Sequence, residues 1–232
     1  MRFNIIFDNY KYDDNLESLW GFSCLIELEG QTILFDTGSN GRILLNNAKK
    51  MGLNFKNIDI LFISHNHWDH IGGIDTIIEE NPNIIMIVPN SLSKYLIEDL
   101  KSLVKEVIVI DGNFTKLSPF LYSTGTLGNI KEQSLIIKDN NNKLYVISGC
   151  GHVGIDNILK VVIDNMHNDI KYILGGFHLM NKSPKEIKQI ILKINPEFIT
   201  ATHCSGDLAI GMMKIDYKNK FLIGGAGAII EF

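Results

Sequence analysis

The stretch LFISHNHWDHIGG, Leu61 to Gly73, runs from an apolar segment straight into a turn that holds His65, His67, Asp69 and His70 within six residues. The preceding IDILFIS is apolar almost throughout, as expected of a strand buried on both faces. Each of the four polar residues is a metal ligand once deprotonated. Three imidazoles and a carboxylate crowded at one strand end repel or compete for protons unless a cation takes their lone pairs.

Outward from this turn, the chain alternates. FNIIFD, FSCLIELEG and QTILFDTG read as strands, the last two joined as a hairpin around Glu29 and Gly30. A helix is predicted from about Gly41 to Met51, stopped by Gly52. HIGGIDTIIEEN is predicted to be one helix, opened by Asp69 and His70, whose N-terminus favours a carboxylate and disfavours an imidazolium. NIIMIV, EVIVID, SLIIKD, LYVISG, IKYILGG and EFITAT read as strands, and Asn140 to Asn142 as a turn. SLSKYLIEDLKSL, GIDNILKVVIDNMHN and SPKEIKQIILKI read as helices, the last capped by Ser183 with Pro184 at its first position. GAGAIIEF reads as a final edge strand. The pattern predicts α/β layers with sheet at the centre. Asn9 to Leu19 and Asn113 to Lys131 fit no element and are expected to be loops. No linker or repeat divides the chain, so 1–232 is expected to be a single domain.

Composition narrows the function. The net charge is -4, charged residues are 21% of 232, and no basic block marks a nucleic-acid surface. Arg2 and Arg42 are the only arginines, so bidentate anion clamps are scarce. Apolar runs fall short of the roughly 20 residues that span a bilayer, and MRFNIIFDNY lacks a signal-peptide pattern. Cys24, Cys150 and Cys204 are odd in number and widely spaced; they are expected to be reduced thiols in a cytoplasmic protein, with Cys150 and Cys204 inert in the core and a soft-ligand role as the alternative, as for Cys204 beside His203.

Four segments repeat one design: ILFISHNHWDH, LYVISGCGH, KYILGGFH and EFITATHC each run from an apolar strand through small residues to histidine. They account for His65, His67, His70, His152, His178 and His203. His167, in the polar NMHND, stands apart. Sites of α/β proteins gather at the carboxyl ends of strands, so these ends are expected to converge on a cation that takes neutral imidazoles. Histidine with carboxylate suits zinc, iron, manganese, nickel or cobalt and disfavours magnesium and calcium. The donors suffice for two ions.

On these residues the chain resembles the metallo-β-lactamase superfamily. HNHWDH fits its HxHxDH motif, and ILFDTG fits the aspartate-bearing segment before that motif. DN at Asp8 and Asn9, WGFSCLIE, EQSLII, VISGCGHVGI, GGFHL and ATHCSGDLAI look like the subgroup of 7,8-dihydropterin-6-methyl-4-(β-D-ribofuranosyl)aminobenzene-5′-phosphate synthase-like proteins. The resemblance implies a four-layer αβ/βα sandwich. It implies that His65, His67 and His152 hold a first metal and that Asp69, His70 and His203 hold a second, with Asp36 beneath them orienting ligands. GGFHL departs from many members: the bridging aspartate is missing, and His178 occupies its region.

The expected activity is that of a metal-dependent hydrolase, or a pterin-coupling transferase, using one or two divalent ions, zinc before manganese or iron. The substrate is expected to be small and phosphorylated or ester-like, with Asp69 orienting water and His178 donating to a developing oxyanion or a phosphate. The competing expectation is a non-hydrolytic protein that senses or carries metal or does redox chemistry. Di-iron redox relatives usually carry acidic bridging and a flavin domain, for which this chain is short.

Overall fold

The apolar runs form two sheets in the computed structural model, which describes residues 1–232. Backbone contacts divide the chain into two compact units, Met1–Asp111 with Gly224–Phe232, and Gly112–Ile223.

In the first unit seven strands pair: β1 (Arg2–Phe7), β2 (Ser23–Leu28), β3 (Gln31–Phe35), β4 (Ile60–Phe62), β5 (Ile85–Pro89), β6 (Glu106–Ile110) and β13 (Ile229–Glu231). Their order is β13-β1-β2-β3-β4-β5-β6. The predicted hairpin is present, with Leu28 opposite Gln31 and Gly30 at φ 75°, a left-handed conformation that suits glycine. From β3 to β6 the pairing is parallel. The linking helices are α1 (Gly41–Lys50), α3 (Ile74–Glu80) and α4 (Lys94–Leu103). Leu44, Ile77 and Leu100 of these helices pack on Leu34, Leu61 and Met86 in one apolar cluster. Ile33, Phe35 and Phe62 are also fully buried, and the Phe35 and Phe62 rings stack at 5.5 Å. Burial of both sets of alternating residues accounts for the unbroken apolar runs.

One predicted element is broken. HIGGIDTIIEEN is two helices, the four-residue α2 (Trp68–Ile71) and α3, separated by Gly72 and Gly73. The cause is a close backbone approach. A Cβ on Gly72 would lie 2.5 Å from Ser39 O, and one on Gly73 2.7 Å from Thr37 O. A single turn sums few peptide dipoles, so the end-of-helix field expected at Asp69 and His70 is weaker than that of a full helix.

In the second unit the strands β7 (Thr115–Lys116), β8 (Leu121–Ser123), β9 (Leu135–Lys138), β10 (Leu144–Ser148), β11 (Ile170–Gly176) and β12 (Phe198–Thr202) pair in the order β12-β11-β10-β9-β8-β7. β10, β11 and β12 run parallel and are joined through α5 (Ile155–Met166) and α6 (Pro184–Lys193). Ile158 and Val162 of α5 and Ile187 and Ile191 of α6 cluster with Val146, Ile173 and Ile199 of the strands. Ser183 and Glu186 form a full capping box at the start of α6.

Two features of this unit are absent from the sequence expectation. β7 and β8 lie within the stretch expected to be a loop, and α7 (Asp207–Tyr217) follows ATHCSG. No helix is long and apolar enough to cross a membrane.

Candidate metal centre

In the first unit the site is built on Asp36, which follows β3 at φ 53°. Left-handed backbone at a non-glycine residue is uncommon and clusters at functional sites. The Asp36 carboxylate is fully buried. Its Oδ1 accepts from Ser64 N at 2.7 Å, and its Oδ2 accepts from Ser64 Oγ at 2.6 Å. His70 Nδ1 lies 2.7 Å from Oδ2. An ionised carboxylate only accepts, so His70 carries its proton on Nδ1 and its lone pair on Nε2.

The same count fixes His65. Ser64 has one hydroxyl proton, which it gives to Asp36. Its oxygen then accepts from His65 Nδ1, 2.9 Å away, leaving a lone pair on His65 Nε2. That Nε2 stands 3.0 Å from His67 Nδ1. Asp69 Oδ2 lies 3.6 Å from His70 Nε2 and is buried. Thus the donor atoms of His65, His67, Asp69 and His70 collect on one side, while Asp36 and Ser64 hold the rings from the other. This is the carboxylate–histidine arrangement that orients metal-ligating imidazoles.

The backbone locks the turn in place. Thr37 N donates to His70 O at 2.8 Å and Gly72 N to Gly38 O at 2.8 Å. Thr37 Oγ1 donates to His70 O and accepts from Gly73 N, both at 3.0 Å. Asp69 O accepts from Phe22 N at 3.3 Å, and a Cβ on Gly21 would lie 2.6 Å from that oxygen.

In the second unit the histidines leave the ends of β10, β11 and β12. A carboxylate that sequence reasoning did not single out, Glu132, organises the first of them. It is 2% exposed, and it accepts three backbone hydrogen bonds of 2.8 Å: Oε1 from Cys150 N and Gly151 N, Oε2 from His152 N. The loop that presents His152 is therefore wrapped around one acid. The EQSLII motif contains Glu132, but nothing in its spacing reveals partners 18 to 20 residues downstream.

His178 and His203 both have left-handed backbone, at φ 52° and 51°. Leu179 N donates to Cys204 O at 3.2 Å and Phe177 N to Ser205 Oγ at 3.1 Å, which ties the two segments across His178. The His178 ring packs on that of His152 with centroids 4.4 Å apart. His203 Nε2 stands 3.4 Å from Cys150 Sγ. Cys150 and Cys204 are buried, as expected, and form no disulfide. Neither is surrounded by hydrocarbon alone, however: their sulfurs and a His178 nitrogen lie within 4.8 Å of one another.

The electrostatics of this group run in opposite directions. A hydrogen bond with Cys204 raises His178 above the ordinary imidazole value, against a smaller opposing effect of burial. Burial pushes the Cys204 thiol up, but hydrogen bonds with Cys150 and His178 and the nearby His203 ring outweigh it and hold the thiol well below its usual range. Burial pushes the Cys24 thiol, in β2, far up, against a smaller opposing hydrogen bond with the Asn4 backbone. His167 takes no part in either group; it ends α5 at φ 53°.

Comparison with known proteins agrees with this arrangement. The family model of the metallo-β-lactamase superfamily matches residues 21–126. The 7,8-dihydropterin-6-methyl-4-(β-D-ribofuranosyl)-aminobenzene-5′-phosphate synthase of Methanocaldococcus jannaschii is 29% identical, over 95% of this chain and 92% of its own. Among solved structures, Tm1679, a metal-dependent hydrolase of the β-lactamase superfamily, superposes with a TM-score of 0.81 at 26% identity, covering 100% of this chain and 99% of its own. The short form of human tRNase Z shares the fold at a TM-score of 0.67 and 15% identity, covering 100% of this chain and 99% of its own. The HxHxDH turn backed by Asp36, the family-model match over residues 21–126 and the superposition along the whole chain show that this protein has the α/β fold of the metallo-β-lactamase superfamily.

Proposed function

We propose that the protein is a metal-dependent enzyme that hydrolyses a small phosphorylated or ester-type substrate. The observation that carries this reading is the chain from Asp36 through Ser64 to His65, and from Asp36 directly to His70. It fixes the proton on one nitrogen of each ring and leaves the other nitrogen a donor. Any neutral imidazole has one such nitrogen; what favours metal ligation is that both unprotonated Nε2 atoms stand beside further donors, His67 Nδ1 at 3.0 Å from that of His65 and Asp69 Oδ2 at 3.6 Å from that of His70.

In this reading His65, His67 and His152 hold one divalent cation, and Asp69, His70 and His203 hold a second. Nitrogen and carboxylate donors suit zinc, with manganese or iron as the other fits. A bound cation of this class supplies Lewis acidity, which brings the ionisation of water down to about pH 7 and polarises a substrate oxygen.

The residues do the rest. The carboxylate of Asp69 would orient a water by accepting a hydrogen bond from it. His178, exposed and above the ordinary imidazole value, donates to charge developing on the substrate. Beside it, a cavity of 340 Å³ is lined by His152, Val153, His178, Leu179, Lys182 and Lys193 among others. The two lysines offer positive charge to an anionic substrate group in place of the scarce arginines. Each already faces an acid, Lys193 Nζ at 2.8 Å from Asp156 and Lys182 Nζ at 3.5 Å from Glu186, so an incoming anion competes with a carboxylate.

A second reading is supported by the 29% identical synthase, matched along nearly its whole length. In it the same residues would hold cations whose positive charge favours departure of pyrophosphate as a pterin is joined to an aminobenzene ribose phosphate, with water as an unwanted competitor.

One set of assays separates these. Metal content is measured by elemental analysis, and turnover is screened with bis(p-nitrophenyl) phosphate, thioesters, lactones and a pterin pyrophosphate with its aminobenzene acceptor. Hydrolysis that falls at least a thousandfold in folded His67→Ala, about 4 kcal/mol of transition-state stabilisation, supports the hydrolase. Product formed only from the pterin pair selects the transferase. A metal-loaded protein inert to every substrate defeats both and favours metal sensing or storage.

A further inference from the structure

We propose that Cys150, Cys204 and His178 form a site of their own for a thiophilic divalent cation, of which zinc is the natural example. The inference goes beyond the proposed ligand set: none of the three is among the histidine and aspartate ligands assigned above, although His178 is also the proposed donor to substrate and Cys150 Sγ stands 3.4 Å from His203 Nε2. Their two sulfurs and one ring nitrogen lie within 4.8 Å of one another. In tetrahedral zinc sites with bonds of about 2.3 Å to sulfur and 2.0 Å to nitrogen, ligand atoms stand roughly 3.5–3.8 Å apart. The group thus needs only a modest contraction to close on an ion.

The surrounding backbone is arranged to hold the three donors. Glu132 fixes Cys150 through its backbone N–H. Cys204 O accepts from Leu179 N, so Cys204 and His178 are tied one residue apart across two strand ends. Gly176 leaves the space the sulfur fills: a Cβ there would lie 2.6 Å from Cys204 Sγ and 2.5 Å from Gly149 O. His178 is the exposed member and borders the 340 Å³ cavity.

Chemistry favours a soft cation over an inert thiol pair. Two thiolates and an imidazole suit zinc or monovalent copper and discriminate against magnesium and calcium. Binding a divalent ion by two thiolates releases their two protons to solvent and leaves the buried site with no net charge. Ligation through one nitrogen of His178 leaves its other N–H to face the cavity. Two cysteines and a histidine leave the fourth position open to water or substrate.

The test uses the full chain stripped of metal by a chelator and titrated with cobalt(II) alone. Nitrogen and oxygen ligands give cobalt only weak visible bands, whereas thiolates add an intense charge-transfer band in the near ultraviolet. The wild-type protein is expected to show that band. Cys204→Ser and His178→Ala, checked for folding by circular dichroism, are expected to lose or strongly weaken it, and Cys24→Ser to keep it. A double variant His65→Ala with His67→Ala, which removes ligands of the proposed catalytic centre, is expected to retain it. This last comparison keeps failure of the catalytic assignment distinct from failure of this one.

Absence of the band in the wild-type protein overturns the proposal. So does a band that survives both Cys204→Ser and His178→Ala, which would make Cys150 a lone thiolate ligand. Loss of the band in the His65 and His67 double variant overturns it as well, because the sulfurs would then serve the histidine centre. Should Cys204→Ser fail to fold, His178→Ala at its exposed position decides alone.

Discussion

The two units present their histidines by different means. In the first, side chains hold side chains: one buried carboxylate, Asp36, reaches His70 directly and His65 through Ser64. In the second, one buried carboxylate, Glu132, grips the backbone instead, through the N–H groups of Cys150, Gly151 and His152. The first arrangement sets the protonation of each ring. The second sets the path of the chain and leaves the rings to be governed by neighbours, among them two sulfurs. Under the proposed function, this difference predicts that Asp36 acts mainly on affinity for metal and Glu132 mainly on stability of the loop.

Substitution can break that contrast. Glu132→Ala leaves three buried N–H groups without their acceptor. At about 1–3 kcal/mol each, the expected loss is about 3–9 kcal/mol of folding stability, read as a lower urea midpoint. Glu132→Gln keeps one oxygen and is expected to lose about half as much. If Glu132→Ala unfolds at the wild-type midpoint, the loop is held by something else.

Asp36→Asn should fall differently. Removing the carboxylate behind a ligating histidine typically costs 10–100-fold in metal affinity. That loss is expected in a chelator competition, with the fold retained. A variant that binds metal as tightly as the wild type would show that the carboxylate does not act through His70.

Gly176→Ala sharpens the second half of the comparison. Its Cβ would crowd both Gly149 O and Cys204 Sγ, and overpacking of this kind costs about 1–3 kcal/mol. Thermal unfolding measures it. The smallest effect concerns the left-handed histidines. His167→Gly relieves an unfavourable backbone and is expected to stabilise by about 0.5 kcal/mol after the extra chain entropy of glycine. His178→Gly relieves the same strain, at φ 52° against 53°, but loses the hydrogen bond to Cys204. The gain is expected to vanish there, and an equal gain at both positions would make that bond worthless.

Much of this was legible in the sequence because the information was local. An apolar strand, small residues and then histidine occupy consecutive positions, and the pattern located His65, His67, His70, His152, His178 and His203 without any long-range reasoning. The parallel β10-α5-β11-α6-β12 run was equally plain from alternating periodicities. The role of Glu132 was hidden because it is exercised on backbone atoms of residues far downstream, and backbone N–H groups carry no residue code. The break at Gly72 and Gly73 was hidden because it depends on the carbonyls of Thr37 and Ser39, more than thirty residues earlier. The grouping of Cys150 with Cys204 required two strand ends to meet, which the spacing of three cysteines does not disclose. Apolar content alone left α7 unmarked, since its first turn follows directly on the histidine motif.

The packing of Asp36 to Ser39 against Asp69 to Gly73 bears on how such a protein can diversify. At Gly21, Gly38, Gly72 and Gly73 even a methyl group collides with main-chain atoms or with the Phe7 ring. Libraries mutated there should yield almost no survivors, whereas exposed side chains between Asn9 and Leu19, such as Lys11 and Asp14, are free to drift around the buried Leu16. New specificities in a laboratory lineage would therefore accumulate around an immovable hub, and the hub itself would serve as an inheritance marker across otherwise divergent descendants.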